Sequence, residues 1–123
     1  MLKSVSAILA TLMFSATSFA NFAETCRNTT VESNGTMLCS VCKDVNQVFW
    51  KSCIQLRGIS NEDGVLTQGM TDVAASFGLS CSSVYVRGSV LRANCADRGG
   101  VVRTSRLELD RIENQNGSLV YSN

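Results

Sequence analysis

The sequence predicts an all-β fold built from two related halves, on three observations. The chain repeats itself once, its apolar residues alternate in short runs broken by turn dipeptides, and its six cysteines can be paired strand against strand. The repeat is clearest near the C-terminus. There Leu109, Ile112, Asn114, Gly117 and Leu119 fall on Leu56, Ile59, Asn61, Gly64 and Leu66 at a constant offset of 53 residues. The same offset carries Leu38, Cys42, Asp44, Val48 and Ser52 onto Leu91, Cys95, Asp97, Val101 and Ser105. Further upstream it grows to 55, matching Phe22, Cys26 and Val31 with Phe77, Cys81 and Val86, so the first copy holds two extra residues between Val31 and Leu38. Two copies imply a pseudo-symmetric pair of lobes rather than a solenoid.

The first segment, Met1 to Ala20, has Lys3, an apolar run from Val5 to Phe14 and a small-x-small end at Ser18-Phe-Ala20. It reads as a secretory signal peptide and not a membrane anchor, because Ser4, Ser6, Thr11, Ser15, Thr17 and Ser18 break the run well short of the roughly 20 apolar residues a span needs. Residues 21–123 are then one domain: repeat one over about 22–66, a connector at 67–76, and repeat two over about 77–121. Without Lys3 the ten basic and ten acidic side chains balance, and no basic stripe stands out, which argues against a nucleic-acid partner. The chain has no histidine, which excludes Ser-His-Asp and Cys-His nucleophile systems and any His-ligated metal site. No membrane insertion, metal or cofactor is expected.

In the first repeat Leu38, Ser40 and Cys42 alternate with Met37, Cys39, Val41 and Lys43, which is strand periodicity. After a loop near Asn46, Trp50, Ser52, Ile54 and Leu56 alternate with Lys51, Cys53 and Gln55, with Trp50 placed inward among the core positions. Asp63-Gly64 and Asn116-Gly117 mark tight hairpins, because a type I′ turn needs positive φ at both central residues. The connector carries at most one helical turn, through Asp72-Val-Ala-Ala. In the second repeat Val84 and Val86 lead through Val90-Leu-Arg to Cys95, Asp97-Arg-Gly99-Gly100 turns the chain, and Val101 to Leu109 returns it.

Six cysteines in a small exported chain read as three disulfides. The repeat makes Cys26–Cys42 and Cys81–Cys95 equivalent and leaves Cys39 for Cys53. With Leu38 opposite Ile54 and both inward, Cys39 faces Cys53 across the outer side of the hairpin. Each bridge closes a loop of about 15 residues, worth roughly 3 kcal/mol on the chain-entropy model. The rival readings of Cys39-Ser-Val-Cys42 lack their context: a redox pair wants a helix N-terminus, and a zinc knuckle wants a second pair.

The segment Asn21-Phe-Ala-Glu-Thr-Cys-Arg-Asn-Thr29, the Leu-x-x-x-Cys spacing at 38–42 and 91–95, and the twin Asn-x-Asp/Asn-Gly-x-Leu hairpins together resemble cyanovirin-N and its homologues. The resemblance runs from Phe22 to Tyr121. It implies two lobes, each a three-stranded sheet from one repeat covered by a β-hairpin from the other. It also implies a non-catalytic lectin for terminal mannose of high-mannose glycans, with oligomannose or glycoprotein partners and one sugar site at the far end of each lobe. The expected state is a monomer, with a domain-swapped dimer as the alternative.

Carried over residue by residue, the resemblance gives a stronger site made of Asn21, Glu24, Thr25, Lys43, Asp44, Glu113, Asn114 and Asn116. Asn116 stands where the family has Asp, and Val45 where it has Arg. The weaker or lost site comprises Ser60, Asn61, Asp63, Ser76, Ser80, Asp97 and Arg98, with Leu79 and Ala96 at the positions of Glu24 and Lys43. Side chains of these polar types, together with tight-turn backbone, suit a ligand whose hydroxyls both donate and accept. Two other functions compete: a small glycosidase using a carboxylate pair such as Glu24 and Glu113, and an effector that keeps the fold without sugar binding. Asn28, Asn34 and Asn116 head glycosylation sequons, and a glycan on Asn116 would cover the turn of the stronger site.

Overall fold

The computed structural model describes residues 21–32 and 36–122. The expected signal peptide and Asn34 lie outside the described residues.

The first repeat forms β1 (Cys26–Glu32), β2 (Met37–Lys43) and β3 (Phe49–Gln55), an antiparallel sheet in chain order, followed by the hairpin of β4 (Ile59–Glu62) and β5 (Val65–Gln68). The second repeat forms β6 (Cys81–Arg87), β7 (Val90–Ala96) and β8 (Val102–Glu108), followed by the hairpin of β9 (Ile112–Gln115) and β10 (Ser118–Tyr121). The two extra residues of the first copy fall between β1 and β2. Both hairpin turns have the expected geometry, with φ of 55° and 90° at Asp63-Gly64 and 52° and 93° at Asn116-Gly117.

A hairpin of two four-residue strands cannot stand alone in water and must bury one face. Each does so on the other repeat's sheet. The Leu119 amide of β10 donates to Ser52 Oγ of β3 at 2.9 Å, and the Leu66 amide of β5 donates to Ser105 Oγ of β8 at 2.9 Å. Each lobe is therefore a sheet from one repeat covered by the hairpin of the other. The repeat-matched apolar residues are the core: Phe22 with Phe77, Leu38 with Leu91, Leu56 with Leu109, Ile59 with Ile112 and Leu66 with Leu119 are all buried in one cluster.

Cys26–Cys42, Cys39–Cys53 and Cys81–Cys95 are bonded, and every pair is directly opposed across an antiparallel ladder. The placement of Cys39 needs correction. It does point away from the core cluster, but it is only 2% exposed, being on the central strand between Thr30 and Cys53. Replacing Cys39 and Cys53 by Ser is expected to lower stability by about 3 kcal/mol, the loop-closure value. Denaturant titration should show a single cooperative transition with a lower midpoint and a slope at least as steep as the parent's, since the unfolded chain loses a cross-link and exposes more surface.

Two further expectations are corrected. Trp50 has the expected register opposite Cys42, yet it is 56% exposed. On that next-to-last rung Cys42 is buried, but the larger indole extends to the hairpin turn, where an added Cβ on Gly117 would come 2.9 Å from Trp50 Cδ1. The connector has no helical turn at 72–75. Its backbone groups are taken by residues 57–59 instead: Gly58 N–H donates to Val73 O at 2.7 Å, Ser76 N–H to Ile59 O at 2.9 Å, and Arg57 pairs with Ala74. Short 3-10 turns occur elsewhere, at Phe22–Glu24 and Phe77–Leu79, just ahead of the first cysteine of each repeat.

Candidate functional site

The far end of the first lobe is assembled around one side chain from the other repeat. Asn114, on β9, donates from Nδ2 to Thr25 Oγ1 and to the Lys43 carbonyl, both at 2.9 Å. Its Oδ1 accepts the Gly117 amide at 2.7 Å and so closes the hairpin turn. Two residues after Asn114, Asn116 Oδ1 accepts the Val45 amide at 2.9 Å. The β2–β3 loop is shaped by Asp44, whose Oδ1 accepts the Asn46 and Val48 amides at 2.8 and 3.0 Å, while Oδ2 accepts Trp50 Nε1 at 2.8 Å. Asn21 caps the 3-10 turn by accepting the Ala23 amide at 3.2 Å, and its Nδ2 reaches Glu24 Oε2 at 3.5 Å.

The structure thus brings Thr25, Lys43, Asp44, Asn114 and Asn116 together, with Asn21 and Glu24 on the adjoining turn. It also divides them by task. Asn114, Asn116 and Asp44 spend their polar atoms inside the protein, holding three loops in register. Glu24 and Thr25 are exposed and Lys43 is half-buried, which makes a lip with a carboxylate, a hydroxyl and an ammonium. Glu113 adjoins Asn114 on β9, and strand alternation turns it to the opposite face of the hairpin, away from that lip.

The second lobe repeats the framework. Asn61 Nδ2 donates to Ser80 Oγ at 2.8 Å and to the Ala96 carbonyl at 2.9 Å, and its Oδ1 accepts the Gly64 amide at 2.7 Å. Asp63 Oδ1 accepts the Arg98 amide at 2.8 Å, and Asp97 accepts the Gly99 and Val101 amides and Arg103 Nε, each at 2.9 Å. The lip, however, is gone. Leu79, 92% exposed, occupies the place of Glu24, and Ser76 makes no capping bond where Asn21 does. Ser60 is engaged locally with Glu62 at 2.8 Å.

The hydrogen bond from Trp50 is the main cause holding the Asp44 carboxyl below the usual carboxylate value, with the Val48 and Asn46 amides adding to it against a small opposing effect of burial. The bond from Arg103 does the same for Asp97, helped by the Val101 and Gly99 amides. Because both folded values lie below the unfolded ones, this stabilisation is complete above the ordinary carboxylate range. It disappears as pH falls through the lowered values, below about 4. Thermal midpoints measured against pH should drop on that acid limb, and Asp44→Asn together with Asp97→Asn should flatten it.

Trp50, expected inward among the core positions, belongs to this end instead. A shallow, open depression of about 410 Å³ is lined by Asp44, Trp50, Lys51, Ser52, Asn116, Gly117 and Ser118. The signal was present in the repeat: Trp50 corresponds to Arg103, and a position that accepts arginine is not a core position. Among the described residues no Cys, Asp or Glu cluster could hold a metal ion.

A family model described as the CVNH domain matches residues 22–120. No curated protein matches the chain. Among solved structures, the chain is similar to TbCVNH of T. borchii at 26% identity, with a TM-score of 0.70 over 83% of this chain and 99% of that one. It is similar to a MoCVNH3 variant in complex with (N-GlcNAc)4 at 23% identity and a TM-score of 0.68, covering 83% of this chain and 97% of the other. The microvirin–mannobiose complex is 22% identical, with a TM-score of 0.66 over 84% of this chain and 99% of that one.

Proposed function

The chain belongs to the CVNH family, and from that premise we propose that it is an exported, non-catalytic lectin that binds terminal mannose of high-mannose glycans. The lobe of β1–β3 and β9–β10 carries the binding. The observation that supports this lobe is its lip of Glu24, Thr25 and Lys43 on a framework already satisfied by Asn114, Asn116 and Asp44. Ligand hydroxyls then meet charged groups that need not be released from internal partners, and binding is pre-organised. The similar structures with mannobiose and with (N-GlcNAc)4 support a saccharide as the ligand class.

Calorimetric titration with mannobiose and, separately, tetra-N-acetylglucosamine tests the reading. Heat with mannobiose at a stoichiometry near one is expected. Heat only with the glucosamine oligomer would leave a lectin of the other specificity. No heat with either, nor with oligomannose, would favour a fold-retaining effector that lacks sugar binding.

A further inference from the structure

We propose that the face of Trp50 is the platform of an additional saccharide subsite, which takes the ring next to the disaccharide bound at the Glu24–Lys43 lip. The two lobes offer an internal comparison. In both, one side chain from the third strand of the sheet reaches the loop aspartate and packs on the hairpin glycine. Trp50 Nε1 donates to Asp44 at 2.8 Å and lies against Gly117, while Arg103 Nε donates to Asp97 at 2.9 Å and lies against Gly64. The arginine shows that the clamp itself does not require an aromatic ring. What tryptophan adds is a broad indole surface, and it remains 56% exposed. Its neighbour Phe49, by contrast, has its ring covered by the Arg27 guanidinium 3.8 Å from the centroid.

The surroundings of that indole suit a sugar ring. It lies in the depression described above, with Asp44, Lys51, Asn116 and Ser118 around it. A pyranose has an apolar face of C–H groups and an equatorial rim of hydroxyls. An aromatic plane takes the first, and a ring of polar side chains takes the second. Asp44 and Asn116 adjoin both this depression and the lip, because Asn116 holds the Val45 amide and Asp44 follows Lys43 directly. A chain of three or more rings passing the Asn116-Gly117 turn would engage both sites.

The subsite presupposes the sugar-binding function proposed above, so the test reports the two separately. Trp50 is the sole tryptophan, and its emission therefore reports only on this place. Calorimetry and fluorescence are run on the same titrations with mannobiose and with a linear mannotriose. Triose binding should shift or quench the emission more than biose binding. Trp50→Arg, which copies the clamp of the second lobe, should weaken triose binding about tenfold while leaving biose binding within about twofold. Trp50→Phe, which keeps an aromatic plane but loses the Asp44 bond, should retain most of the triose affinity. Binding by calorimetry with unchanged emission, or equal triose affinity in Trp50→Arg and the parent, overturns the subsite and leaves the lectin. Absence of heat with either sugar overturns both.

Discussion

Replacing Asn114 by alanine is expected to lower stability by about 3 kcal/mol and to abolish sugar binding, since it removes three hydrogen bonds worth about 1 kcal/mol each. Two of those bonds, to Thr25 and to the Lys43 carbonyl, tie repeat two's hairpin to repeat one's sheet, and the third closes the Asn116-Gly117 turn. Their loss also leaves the half-buried Lys43 carbonyl and Gly117 amide short of a partner, which adds to the cost. For a domain of about 100 residues the thermal midpoint should fall by roughly 10–20 °C. The matching variant is Asn61→Ala, which removes the corresponding three bonds in the second lobe. It should cost the same stability but leave binding in place. Scanning calorimetry gives the first quantity and sugar titration the second. Equal loss of binding in both variants would show that the lobes do not differ in the way proposed.

Replacing Glu24 by alanine should leave the fold unchanged and remove most binding. Glu24 is exposed, and its carboxylate accepts only a long hydrogen bond from Asn21 Nδ2 at 3.5 Å among the described residues, so little stability depends on it. A charge-assisted hydrogen bond to a ligand hydroxyl is worth about 1.5–3 kcal/mol, or a factor of about ten to a hundred in affinity. Asp63→Ala in the second lobe removes the acceptor of the Arg98 amide but no group of the lip, and should change affinity little. With one working lobe, a monomer has no second anchor on a branched glycan, so it should not cross-link glycoproteins. A stoichiometry near two, or loss of binding in Asp63→Ala but not in Glu24→Ala, would place the site in the wrong lobe.

Much of this architecture is legible without coordinates because its causes are local. Alternation with a period of two puts Leu38, Ser40 and Cys42 inward and Cys39 opposite Cys53. Asp-Gly and Asn-Gly set the hairpin turns, since few other pairs tolerate positive φ twice in succession. The repeat then names the core, because an apolar residue kept at the same place in both halves meets the same burial. The same matching pairs Trp50 with Arg103, and a position that accepts arginine lies outside the core.

Other features depend on contacts with no local trace. Asn114 meets Thr25 across 89 residues and Lys43 across 71, so its role as an internal strut rather than a free ligand group is decided by where the hairpin docks. The same docking sets Trp50 against Gly117 instead of against the core. The connector's backbone partners lie at 57–59, which outcompete the helical bonds its own composition allows. The strands, the turns, the cysteine pairing and the repeat-matched core residues follow from local pattern alone. Which polar groups hold the structure depends on how the two repeats exchange hairpins, because the partners of Asn114 and Asn61 come from the other half of the chain.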